Sequence, residues 1–101
     1  MKIVIVDDDF LVTTALKTIL EATGKVTVIA TGTDGKDAIS LYYEHRPDVL
    51  LTDIQMKEVS GLEATEEILE QFPDARILLL TTFLDDEYIV RAIKLGATGY
   101  I

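Results

Sequence analysis

Three consecutive carboxylates, Asp7, Asp8 and Asp9, follow directly on the short apolar run Ile3-Val-Ile-Val6, and another, Asp53, follows the run Val49-Leu-Leu-Thr52. If these runs are strands lying side by side, several carboxylates meet at one end, where each raises the pKa of the others. A hard divalent cation with oxygen ligands is the usual remedy. Magnesium typically takes one or two carboxylates together with phosphate and water. A carboxylate in that setting can attack phosphorus, because the metal neutralises phosphoryl charge and aligns the attacking and leaving oxygens. Asp53 is the best nucleophile on these grounds. Thr81-Thr82 closes another apolar run, and a hydroxyl there can donate to a phosphoryl oxygen at the neighbouring strand end, although threonine at a strand end also follows from β propensity alone. The triple aspartate has a bland reading too, as a solvated turn and helix cap. Its place directly after a buried strand favours chemistry.

The elements that must position these residues are legible as a regular alternation. Four short runs rich in β-branched residues or leucine, Ile3 to Val6, Val26 to Ala30, Val49 to Thr52 and Ile77 to Leu80, read as buried strands. Between them lie stretches of helical period: Leu11, Val12, Ala15, Leu16, Ile19 and Leu20; then Ala38, Leu41, Tyr42 and His45; then Leu62, Thr65, Ile68, Leu69 and Phe72; and finally Tyr88, Ile89, Ala92 and Ile93. Each should bury one face. Gly24 and Gly96 stand where helix C-termini favour positive φ, Pro47 and Pro73 follow the second and third helices, and Asp34, Ser60 and Asp85 suit N-caps. The segment Thr98 to Ile101 begins a fifth strand. The order predicts an α/β, doubly wound parallel sheet with helices on both faces and all strand C-termini along one edge. Ligands of such sheets bind where the strand order reverses, between the first and third strands in the flavodoxin-like order 2-1-3-4-5.

Composition narrows the function classes. The 101 residues, 49% apolar and 27% charged, suit one globular domain, with no linker, repeat or low-complexity tract. The formal net charge of −9 should repel nucleic-acid phosphates and anionic lipid, so this segment by itself should bind neither DNA nor membrane. Absence of cysteine excludes a disulfide framework, a thiol nucleophile and thiolate metal sites, and the single histidine, His45, makes imidazole-based zinc chemistry remote. No apolar stretch approaches the roughly 18 residues of a membrane span, and the four apolar residues after Lys2 are too few for a secretory leader, so a cytoplasmic location is expected.

Taken in order, Ile3 to Asp9, Val49 to Met56, Leu79 to Phe83 and Gly96 to Ile101 resemble response-regulator receiver domains of two-component signalling along the whole chain, and the stretch from Leu79 onward is most similar to the NarL/FixJ (LuxR-type) subgroup. The resemblance implies that Asp53 accepts a phosphoryl group from a sensor histidine kinase or a small phosphodonor. It implies that Asp8 and Asp53 ligate Mg2+ with the backbone carbonyl of Gln55, that Asp7 orders a metal-bound water, that Thr81 is the switch hydroxyl and that Tyr100 is the switch aromatic. Gln55 and Phe83 match positions that tune loss of the phosphoryl group. DNA would be reached only through a C-terminal output domain that is not in this sequence.

The sequence departs from the family pattern in three places. Such receivers continue with a lysine two residues beyond the Gly-Tyr-aliphatic segment and then a fifth helix, so the 1–101 chain reads as a receiver cut within or just after its fifth strand. An uncovered apolar face of this kind would favour self-association or domain swapping. Lys57 replaces a usual proline, and Ser60 replaces an acidic residue but can cap the third helix equally well. Ile3 to Asp9 and Ile77 to Thr81 also resemble motifs of haloacid-dehalogenase-type phosphohydrolases, in which Asp7 would be the nucleophile and Asp9 the acid/base; that alternative does not explain Asp53. A flavodoxin-like cofactor binder would need a phosphate-cradling loop, and no Gly-rich or hydroxyl-rich loop follows Val6. A purely structural module that has kept the fold without the chemistry is the remaining possibility.

Overall fold

The structure, a computed structural model, describes residues 1–54, 56, 58–80 and the backbone of 99–100. Its elements run β1 (Lys2–Val6), α1 (Phe10–Glu21), β2 (Thr27–Gly32), α2 (Gly35–His45), β3 (Val49–Asp53), α3 (Gly61–Gln71) and β4 (Ile77–Leu80), and a two-residue β5 (Gly99–Tyr100) pairs on the outer edge of β4. All pairings are parallel, and the central strands follow the order β2-β1-β3-β4. The predicted fourth helix, with Asp85 and Gly96 at its ends, lies outside the described residues.

The strands read as continuous apolar runs because both of their faces are covered, and the period of two divides the side chains between two cores. Val4 and Val6 of β1, Leu50 of β3, and Ile77 and Leu79 of β4 face α2 and α3, meeting Ala38, Tyr42, Leu62, Ala64 and Ile68. Ile3, Ile5, Leu51 and Leu78 point to the opposite side, where Val28 joins them and Leu16 and Leu20 of α1 pack. Helix α1 buries less than its periodicity suggested. The row Val12, Leu16 and Leu20 is half-buried, while Leu11 and Ile19 of the adjacent row are 76% and 64% exposed and Ala15 is exposed as well. Rows four residues apart lie side by side on a helix, and only one of these two meets the sheet. Among the described residues no helix is long and apolar enough to cross a membrane.

The ends of the elements follow local chemistry. Asp34 and Ser60 cap α2 and α3 as expected, the first accepting from the amides of Lys36 and Asp37 and the second from that of Glu63. Gly24 adopts φ +73° after α1. Arg46 ends α2 at φ 46°, and its guanidinium carbon lies 3.8 Å from the centroid of the Phe72 ring, which also stacks edge-on against Tyr43. One irregularity interrupts the β1–β2 ladder: Ile3 is opposite Val28 but Val4 is opposite Ala30, so Ile29 is an extra residue. Both Ile29 and Ala30 pack toward the α2–α3 core.

Ile68, fully buried between α3 and the sheet, and Ile19, exposed on α1, give a direct contrast. Ile68→Ala should lower unfolding free energy by about 3 kcal/mol and Ile19→Ala by less than about 1 kcal/mol, read from urea denaturation midpoints. Comparable losses at both sites would contradict the burial described here.

Candidate functional site

Strand β1 has β2 on one side and β3 on the other, so the strand order reverses between β1 and β3. Val6 is opposite Thr52, which brings the residues that follow, Asp7 and Asp53, to adjacent strand ends. Asp7, Asp8 and Asp53 each place a carboxylate oxygen there, and these oxygens lie within 4.8 Å of one another. The cluster is graded in exposure: Asp7 is buried, Asp53 half-buried and Asp8 exposed. Hard oxygen donors converging from two strand ends, one open to solvent, suit a divalent cation that also keeps contact with a ligand from outside.

The backbone explains how the carboxylates are held. Asp7 accepts from the amide of Asp9 at 2.8 Å, while its own amide donates to the carbonyl of Gly32 at 3.1 Å. Asp9 does not join the cluster; its side chain accepts from the amide of Leu11 at 2.9 Å and caps α1. Burial, partly offset by the Asp9 amide, pushes the Asp7 carboxyl above the usual carboxylate range, with the Asp8 and Asp9 carboxylates adding to the rise.

Asp53 sits on an equally constrained segment. Thr52, fully buried, donates its hydroxyl to the Asp53 carbonyl at 3.2 Å, and the amide of Ile54 donates to Leu80 at 3.3 Å. The amide of Gly61 returns to the Ile54 carbonyl at 2.7 Å, so α3 starts almost on top of the end of β3. A Cβ at position 61 would collide with the Asp53 carbonyl oxygen, which is why glycine opens this helix.

Of the residues singled out from sequence, Asp7, Asp8 and Asp53 are brought together. Gln55, Lys57, Thr81 and Phe83 lie outside the described residues, and of Tyr100 only the backbone, in β5, is described. Gly32, Gly35 and Gly61 were not singled out, because their importance is one of close approach between segments distant in sequence. An isolated glycine in a turn gives little sign of that.

Comparison with known proteins agrees with this geometry. The family model for the response regulator receiver domain matches residues 3–101. The chain is 49% identical over 102 residues to the oxygen regulatory protein NreC of Staphylococcus epidermidis, a match covering all of this chain and 47% of that protein, so it spans about half the length of such curated relatives. It is similar in structure to a LuxR-family two-component response regulator from Aurantimonas sp. SI85-9A1, at 31% identity and a TM-score of 0.93, covering 98% of this chain and 71% of the other. It is also similar to the CheX-CheY-BeF3-Mg+2 complex of Borrelia burgdorferi, at 25% identity and a TM-score of 0.94, covering 100% and 76%.

A buried carboxyl with a raised pKa opposes folding once it ionises. Asp7→Asn should therefore raise the urea midpoint of the metal-free protein at pH 7, and the gain should shrink as the pH falls through the raised pKa and vanish below about 3.8, the ordinary value, where both forms are neutral. Denaturation of the two proteins in EDTA across that range checks this, and a lower midpoint for the variant at pH 7 would refute it.

Proposed function

Because the chain belongs to the response regulator receiver domain family, we propose that it accepts a phosphoryl group on Asp53 in a Mg2+-dependent reaction, with a sensor histidine kinase or a small acyl phosphate as donor. The observation that carries this reading is the convergence of Asp7, Asp8 and Asp53 at the β1–β3 strand ends. A carboxylate oxygen of Asp53 forms the new bond to phosphorus while the donor's bond to phosphorus breaks and its electron pair leaves with the donor. Asp8 and Asp53, with the backbone carbonyl of Gln55, would hold the metal, and Asp7 would orient the ligand shell around it from its buried position. Bound magnesium supplies charge neutralisation at the phosphoryl oxygens and at the carboxylates themselves. Asp53 is half-buried, so its side chain is reached in part by solvent, and the backbone bonds from Asp7 to Gly32 and from Gly61 to Ile54 hold the segments around the cluster.

The same proposal takes Thr81 as the hydroxyl that turns toward the phosphoryl group and Tyr100 as the aromatic residue that follows it. It reads β5 as the start of the fifth strand of a flavodoxin-like sheet and residues 1–101 as receiver. NreC is described as an oxygen regulatory protein, and control of transcription through a DNA-binding output region is proposed for the protein of which this domain is part. The domain's own net charge of −9 leaves DNA contact to that region. A phosphohydrolase with Asp7 as nucleophile is disfavoured, since Asp7 is the buried member of the cluster and is already engaged by the Asp9 amide.

Incubation with Mg2+ and acetyl phosphate should add one phosphoryl group to the intact mass of the wild type and none to Asp53→Asn. An adduct that persists on the variant would move the acceptor to Asp7 or Asp8, and a folded wild type that never gains one would overturn the reading.

A further inference from the structure

Residues 32–37, the turn between β2 and α2 and the first turn of α2, place no carboxylate in the acidic cluster, yet they are bonded to Asp7 and to the segment that follows Asp53. On one side the Asp7 amide donates to the Gly32 carbonyl at 3.1 Å. On the other the Gly35 amide donates to the Val59 carbonyl at 2.9 Å, and the Lys36 ammonium pairs with Glu58 at 2.6 Å. The turn is braced internally as well, for Asp37 accepts from both the amide and the hydroxyl of Thr33, at 2.8 and 3.1 Å, and Asp34 accepts from the amides of Lys36 and Asp37.

Residues 54–60 follow the acceptor strand, and their two ends are fixed by the Ile54–Leu80 and Gly61–Ile54 backbone bonds. Between those anchors, Glu58 and Val59 bond to the turn. The first amide of a helix has no partner within the helix and ordinarily meets water or a side chain; in α2 it meets a carbonyl of the loop that follows Asp53. The approach is so close that a Cβ on Gly35 would collide with the Val59 carbonyl oxygen and with the Val59 side chain.

We propose that this turn is a positioning element for the metal site: Gly35 and Lys36 hold the loop after Asp53 at the spacing from Asp7 that magnesium requires. The inference rests on the phosphoacceptor reading, since it concerns the same carboxylates, and it adds residues that contact neither metal nor phosphoryl group. Partners behind a ligand shell influence metal affinity through the placement of the ligands.

Magnesium titration by calorimetry, paired with urea midpoints, tests it on the whole chain. Gly35→Ala should weaken Mg2+ binding about tenfold, the scale of losing an outer-shell partner. Gly24→Ala is the control: at φ +73°, with nothing within 4 Å of an added Cβ, it should lower stability and leave Mg2+ affinity unchanged. Lys36→Glu gives a test of sign. Added negative charge acting at long range would strengthen cation binding, whereas loss of the hold on Glu58 should weaken it roughly threefold, within the range of a surface ion pair. The charge swap Lys36→Glu with Glu58→Lys should restore the wild-type value. Those two variants decide the matter if Gly35→Ala does not fold.

Unchanged affinity in a folded Gly35→Ala, or tighter binding in Lys36→Glu, would overturn the positioning role while leaving the phosphoacceptor reading intact. A folded wild type that takes up no Mg2+ would overturn that reading and this inference together.

Discussion

Carboxylates whose oxygens lie within 4.8 Å of one another repel, and the free energy that keeps Asp7, Asp8 and Asp53 together has to come from elsewhere in the fold. It comes from the strands behind them. Asp7 and Asp53 are the residues at the ends of β1 and β3, whose preceding side chains, from Ile3 to Val6 and from Leu50 to Thr52, are buried on both faces of the sheet. Burying a large aliphatic side chain is worth roughly 1.5–3 kcal/mol, so a few such residues on each strand outweigh the repulsion at its tip. The pKa of Asp7 is raised first by its burial and, beyond that, by the neighbouring Asp8 and Asp9 carboxylates.

This arrangement divides labour along each strand. The preceding residues are apolar and set the position; the residue at the tip is a carboxylate. The transition is abrupt: Thr52 is fully buried and satisfies its hydroxyl on the carbonyl of Asp53, so the last polar group below the site bonds to the backbone of Asp53 itself. With Gly61 packed on the same carbonyl, the backbone of Asp53 is enclosed while the residue as a whole stays half-buried.

Much of this could be read from residue types. Fully buried strands in a parallel sheet lose the polar alternation of half-exposed ones, which made β1, β3 and β4 recognisable and put the acids at the ends of β1 and β3. Capping chemistry is local, so Asp34, Ser60 and Gly24 behave as their types suggest. What escaped was tertiary. The exposure of Leu11 and Ile19 depends on which row of α1 meets the sheet, and periodicity alone does not choose between adjacent rows. The roles of Gly35 and Gly61 depend on how near another segment passes, and nothing in a single glycine announces it. Asp9, read with its neighbours as one acidic triplet, proves to work through its amide on Asp7 and through its side chain on α1.

The extra residue in β2 has a bearing on how such a domain tolerates change in length. Because Ile29 and Ala30 face the same side, loss of Ile29 would leave Val28 and Ala30 in regular alternation against Ile3 and Val4, with the pairs from Val4–Ala30 to Val6–Gly32 unmoved. A single-residue deletion at the base of the sheet is thus absorbed at the bulge, at the expense of one side chain's packing. The same deletion between Gly32 and Asp37 would fall among the bonds that link Asp7 to the segment following Asp53. A change in chain length is thus better absorbed at the end of the sheet away from the carboxylates, where it leaves the site undisturbed.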